Sequence, residues 1–431
     1  MTPEQDAALR TLVQAWYSHR SHTDVPAAAI TIRRAEVLRT GRPGLLDVVA
    51  ELEGRLAHVV VGLRSVGDET HFLRAVDEVA LGLWEADDGL AVCTEALHDA
   101  QLAPLLLATL RGVEPRGGRI SIGQDDDEAI VLDCGDRGDL TVFPWLGGQP
   151  NAAVDLMVEL DRVGFNHVAA PLVRWQWEGR DLGLVQEPIE GRSGGWAIAL
   201  TSLRDLYASG GPPERAGGDF SLEAQALGNM LARLHLALDK AFGRRPEPVA
   251  EWVEMAEAEL REGDPSLLSS PDVAELMAQL RASDAKLPAI RTHGDFQLAR
   301  TSRTDQGWMV TDFRPGGVLP SMFEPAPRSP LADVADLLWS LHAATTSAAA
   351  ERDPSGRLGL ARLGQAWEAR NRRAVLSAYL GTPGIAGLTG PHRDLLGHLV
   401  GLFELARSSR LPNERGPIPS RFRSPLRVTP H

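Results

Sequence analysis

Lysine is nearly missing from this 431-residue chain: only Lys240 and Lys286 occur, against an abundance of arginine. Chemistry that needs a lysine ammonium anywhere before residue 240 is thereby excluded. Cysteine is as scarce. Cys93 and Cys134 have neither metal-site spacing nor the density of a disulfide scaffold, so they read as reduced packing residues. The longest apolar run, around 102–110, is far too short to span a bilayer, and the first residues lack a basic start followed by an apolar core. A cytoplasmic protein is the expectation. Positive charge is also in deficit, with 44 Lys and Arg against 58 Asp and Glu and a formal net charge of -14. That balance argues against nucleic-acid and anionic-membrane partners and suits a small molecule or a cation. Nothing in the composition fixes an oligomeric state.

A hydrophobic content of 43% is ordinary for a globular protein of two or three domains. Apolar positions Ala8, Leu9, Leu12, Val13 and Trp16 recur at helical spacing and predict a helix over 3–17. Strands are expected at 28–32, 46–52 and 57–63, the last two joined through a Glu53-Gly54 turn. A helical pattern over 95–110 precedes short strands at 119–122, 129–133 and 140–145, a helix at 154–163, and strands at 172–177 and 183–187. After Trp196 the pattern turns helical. Helices are expected at 222–238, with Ser221 as cap, and at 248–262, 271–282, 331–344, 358–380 and 392–408. A sheet-bearing front half and a helical back half make an α+β protein with lobes.

The segment 291–313 carries the chemistry. It reads Arg-Thr-His-Gly-Asp-Phe-Gln-Leu-Ala-Arg and, further on, Gly-Trp-Met-Val-Thr-Asp-Phe. Asp295 falls on a loop after His293, while Asp312 ends a short apolar strand. A His-Gly-Asp triplet alone is equally an ordinary turn. The strand leading into a second carboxylate favours phosphoryl transfer, in which one acid takes the proton of the attacking hydroxyl and the other holds magnesium.

At these residues the chain resembles the maltokinase-like branch of the aminoglycoside phosphotransferase and choline kinase superfamily, most of all its actinobacterial glucosamine kinases. Ser329-Pro330-Leu331-Ala332-Asp333-Val334-Ala335 is similar to a family motif that begins a helix behind the active site. Trp16-Tyr17, Asn151 with Asp155 in a glutamate position, and Leu227-Gly228 through His235 follow the family more faintly. The resemblance implies a bilobal, eukaryotic-protein-kinase-like fold: an N-terminal cap over 1–95, the rest of the N-lobe with a small antiparallel sheet and hinge over 96–195, and a helical C-lobe over 196–431. It implies ATP and Mg2+ as cofactors, Asp295 as catalytic base and Asp312 as main metal ligand. Gln186, Glu187 and Pro188 would meet adenine at the hinge, although a plain linker explains them equally well.

Three departures from the family bear on function. Its second metal ligand falls on Arg300, and a guanidinium has no lone pair to offer a metal. Gln297 could serve through its carbonyl oxygen, leaving Arg300 to bind phosphate or sugar, or to be a plain surface arginine. The phosphate-binding lysine falls on Thr141. Near it, the nucleotide loop is replaced by the acidic run Gln124–Glu128, best read as an exposed turn. Finally, the residues that line a disaccharide site are replaced around Arg314 and after Arg407. Glu404, on the last helix, either pairs with a substrate ammonium or lies on an exposed face. Together these features predict a kinase acting on glucosamine at its 6-hydroxyl, with Asp295, Arg300, Arg314 and Glu404 gripping the sugar. Another aminosugar, an aminoglycoside or maltose is the alternative acceptor. A pseudokinase or ligand-binding protein is the alternative of another class, and a structural module partnered with another enzyme ranks third.

Overall fold

The computed structural model describes residues 2–65, 80–86, 89–114, 120–147, 150–215, 219–311, 313, 327–352, 359–390 and 393–409. Two compact units emerge, one from Met1–Asp155 and Ala170–Glu190, the other from Leu156–Ala169 and the described residues after Glu190. The protein is a mixed helical and antiparallel-sheet structure.

In the first unit the N-terminal helix Pro3–Ser21 starts at a capping box, with Thr2 and Gln5 satisfying each other's backbone amides. Its apolar stripe Leu9, Leu12, Val13 and Trp16 packs on a sheet of order β1-β2-β3-β5-β4, with β9 also paired to β3. These strands are β1 (Thr31–Arg39), β2 (Gly44–Leu52), β3 (Arg55–Ser65), β4 (Ala80–Ala86), β5 (Gly89–Glu95) and β9 (Trp145–Leu146). The hairpin of β2 and β3 turns at Glu53-Gly54, where both residues have positive φ. Strand β1 begins later than the expected 28–32. Ala27–Ala29 form a 3-10 turn instead, since alanine has little preference for strand.

The second sheet of this unit has the order β10-β11-β8-β7-β6, made of β6 (Ser121–Asp125), β7 (Ile130–Asp133), β8 (Asp139–Val142), β10 (Pro171–Trp177) and β11 (Arg180–Gln186). Strand β6 runs into the acidic stretch expected as a turn. Asp125 there accepts from Arg20 Nη1 at 2.8 Å and meets His98 Nε2 at 2.7 Å, so only its later part is an exposed bend. The helix expected from residue 95 starts at Leu102. Pro104 must lie within a first turn because it has no N–H to donate, and Asp99 caps the start by accepting from Gln101 N and Leu102 N.

The second unit is mainly helical. Helix Ser221–Phe242 packs closely on Ala361–Gly381, and Gly228 permits this: a Cβ there would lie 2.4 Å from Val375 O. The expected cap residue Ser221 is already helical. Asp219 caps instead, accepting from Ser221 N at 3.1 Å. Two small sheets complete the unit, β12 (Ser193–Gly194) with β15 (Thr301–Thr304) and β16 (Gly307–Val310), and β13 (Arg244–Pro248) with β14 (Lys286–Ile290). Helices Leu331–Arg352 and Arg393–Ser409 supply the remaining residues of the site described next. Among the described residues no helix is long and apolar enough to cross a membrane.

Candidate functional site

The segment His293-Gly294-Asp295 leaves the end of β14 as a tight loop. Gly294 has φ +87°, a left-handed conformation that a residue with a Cβ adopts only under strain. What holds the loop from behind is Asp333, in the first turn of helix Leu331–Arg352. Its Oδ2 accepts from His293 N and its Oδ1 from Gly294 N, each at 2.8 Å. Ile290 and Arg328 exchange two backbone hydrogen bonds, which bring that helix start beside the loop.

Asp333 is fully buried and also bonds His235 Nε2 at 3.1 Å, while His235 Nδ1 lies 2.8 Å from Tyr379 Oη. Burial opposes its ionisation, but the His235 hydrogen bond and charge, His293 and the Gly294 amide outweigh this and hold its carboxyl below the usual range. Burial keeps the Tyr379 phenol protonated, pushing it well above its ordinary value with help from the Asp333 charge. The Leu-Ala-Arg-Leu-His helix and the Ser-Pro-Leu-Ala-Asp turn are thus joined at the back of the loop. His293 packs between Phe296 and Phe313, with ring centroids 5.4 and 5.1 Å away.

The Asp295 carboxylate is held by side chains. Oδ2 accepts from Arg300 Nε at 3.0 Å and Arg300 Nη2 at 2.7 Å. Oδ1 accepts from the Gln297 amide and pairs with Arg407 Nη1 at 2.8 Å. Arg407 comes from the last described helix, where its Nε is also 3.8 Å from Asp336 Oδ1. A shallow recess beside the loop is lined in part by Thr292, Gly294, Asp336 and Arg407 together with the Glu259–Arg328 ion pair at 2.5 Å.

The structure therefore brings together Asp295, Gln297 and Arg300, and adds Arg407, Asp333 and His235, to which sequence reasoning gave no role in the site. Asp312 and Arg314 lie outside the described residues. Thr311 N donates to Arg300 O at 3.0 Å. Glu404 is neither on an exposed face nor open to a ligand: it is 0% exposed and grips Arg372 through both oxygens at 2.6 and 2.7 Å. The expected ammonium contact is thus taken by an internal guanidinium, which matches a carboxylate's two oxygens.

Gln186 ends β11 in the first unit and Glu187 and Pro188 follow it, just before the chain leaves that unit after Glu190. Glu187 N donates to Ala170 O at 2.9 Å, and its side chain is exposed.

Among the described residues no group of three or more His, Cys, Asp or Glu converges as a metal site. Gln297 gives its amide nitrogen to Asp295, which leaves its carbonyl oxygen as a donor. Such a sparse oxygen set fits magnesium, which keeps several waters and relies on one or two protein groups plus substrate phosphates.

No family model matches the chain. A glucosamine kinase of Mycolicibacterium smegmatis is 27% identical over 253 residues, which cover 54% of this chain and 59% of that protein. Among solved structures, a glucosamine kinase in complex with glucosamine, ADP and inorganic phosphate aligns over 98% of this chain and 96% of its own, at 21% identity and a TM-score of 0.66. A second glucosamine kinase structure aligns over 95% of this chain and 94% of its own, at 22% identity and the same TM-score of 0.66. The chain thus shares the fold of solved glucosamine kinases, and about half of it resembles a curated one in sequence.

Proposed function

We propose that this protein is an ATP-dependent glucosamine kinase that transfers the γ-phosphoryl group to the 6-hydroxyl of the sugar. The observation that carries this reading is the Asp295 carboxylate, set on a loop whose backbone Asp333 fixes, inside the fold of a protein solved with glucosamine and ADP. In the reaction the sugar oxygen bonds to the γ-phosphorus while the bond to the bridging oxygen breaks. The electron pair leaves on ADP, and the hydroxyl proton passes to Asp295.

Asp312 and Gln297 would hold Mg2+, which when bound neutralises charge on the phosphates. Arg300 and Arg314 are the candidates for gripping sugar or phosphate, and Gln186, Glu187 and Pro188 for meeting adenine. Glu404 acts in this reading by fixing Arg372. The chain is assigned to the maltokinase-like branch, as a cytoplasmic enzyme with a cap over 1–95, an N-lobe remainder over 96–195 and a helical C-lobe over 196–431 in a bilobal kinase-like arrangement.

ADP formation measured with glucosamine, glucose, maltose and aminoglycosides tests the acceptor. Glucosamine is expected to give the highest kcat/KM, and a preference for maltose would overturn the choice. The occupied state of Asp295, with both oxygens bonded to side chains, favours a second reading, a sugar-binding protein without turnover. Binding of glucosamine with no ADP formed under any magnesium concentration would select it.

A further inference from the structure

A nucleoside triphosphate needs a cation at its phosphates, and the first unit contains no lysine, since both lysines follow residue 239. The question of which group replaces it rests on the kinase reading above. The second sheet of this unit offers one built answer. Arg174, on β10, donates from Nε to Asp181 Oδ1 at 2.6 Å and from Nη2 to Asp181 Oδ2 at 3.0 Å. The same Nη2 reaches Asp155 Oδ1, on helix Ala152–Arg162, at 3.1 Å.

Two further N–H donors, on Nη1, are accepted by no described residue, and the side chain keeps 24% of its surface exposed. The ladder register is equally specific. Arg174 pairs with Leu184 and Leu184 pairs with Thr141, so the three side chains project from one face of the sheet. Thr141 and Arg174 are then about 10 Å apart at ordinary strand spacing. Arg180 of β11 and Arg137 of the β7–β8 connection are engaged with main chain, Arg180 Nε on Gly147 O at 3.1 Å and Arg137 Nε on Cys134 O at 3.1 Å.

We propose that Arg174 is the cation that receives the nucleotide phosphates, held by Asp155 as a kinase lysine is held by its helix glutamate. Its Nη1 donors face the phosphate oxygens while Nε and Nη2 stay on the two carboxylates. Since Asp155 and Asp181 outnumber the one guanidinium, the cluster favours the magnesium complex of the nucleotide, which carries less negative charge, over the bare triphosphate.

Calorimetric titration of the full chain with MgATP and, separately, with adenosine tests this. Arg174→Gln is expected to weaken MgATP by about 10- to 100-fold, the worth of one charged hydrogen-bonded contact, and to leave adenosine binding within about twofold. Adding Thr141→Lys to that variant is expected to recover most of the MgATP affinity, because it returns an ammonium to the same sheet face. Arg174→Lys, which keeps the charge without the planar fork, should fall between. Equal weakening of MgATP and adenosine means a structural role only and overturns the proposal, as does unchanged MgATP affinity or a folded double variant without recovery. If the wild type binds no nucleotide, the kinase reading and this assignment fall together. If it phosphorylates glucosamine while Arg174→Gln binds MgATP normally, only the assignment falls.

Discussion

Asp333 and Asp295 are two buried carboxylates on opposite sides of one loop, and they are satisfied in different ways. Asp333 accepts from two backbone amides and a histidine, partners that cannot swing away without unfolding the loop. Asp295 is held by Arg300, Arg407 and the Gln297 amide, long side chains that can release it. The first arrangement suits an anchor. The second suits a group that must exchange partners when a hydroxyl arrives and its own charge disappears on protonation. A catalytic loop thus needs a rigid rear and a yielding front.

The largest stability effect is expected at the rear. Asp333→Ala strands two amides and His235, and should cost about 3–5 kcal/mol in chemical denaturation, with turnover lost in proportion to loop disorder. Normal stability in that variant would break the comparison. Glu404→Gln comes next, at about 2–3 kcal/mol, since Glu368 stays 3.7 Å from Arg372. Its KM for glucosamine should be unchanged, and a raised KM with normal stability would return Glu404 to the sugar site.

At the front, Arg300→Gln should cost only about 1–2 kcal/mol, because Arg407 and the Gln297 amide still hold Asp295, while lowering kcat. A loss of stability as large as that of Asp333→Ala would make the two sides alike.

The smallest effect lies in the first unit. His98 sits between Glu95 and Asp125, the latter also held by Arg20. The Glu95 carboxylate, 3.2 Å from Nδ1, working against burial and aided by Asp125, raises the imidazole from 6.5 to about 9. A raised folded-state value means the contribution is complete below pH 6.5 and lost as pH rises through about 9. The Tm of wild type should therefore decline over that interval more than the Tm of His98→Gln, and parallel declines would remove His98 from the account.

Much of this was legible in the chain and some was not. The β2–β3 hairpin showed in its apolar runs and in Glu53-Gly54. Strand β13 did not, because Pro246 and Pro248 argue against a strand until it is seen as one side of a two-stranded ribbon. The apolar pattern over 95–110 overruns the start of the helix at Leu102, because Pro104 and Asp99 set that start and the pattern does not report them.

In the site, Asp295, Gln297 and Arg300 share one segment, so their chemistry could be read together. Arg407 and Asp333 come from other helices, and no local pattern reports a partner far along the chain. The Ser-Pro-Leu-Ala-Asp motif was the available signal for Asp333. Glu404 is visible in the sequence but its environment is not, since that is set by Arg372 on a neighbouring helix.

The yielding front of the loop is tested most directly by following ATP and glucosamine with wild type and Asp295→Asn by 31P NMR. A phosphomonoester signal at the 6-position should grow with wild type, and its rate should fall about 10³-fold in a folded Asp295→Asn. Equal rates in the two proteins, or release of free phosphate without any phosphomonoester, would contradict the account.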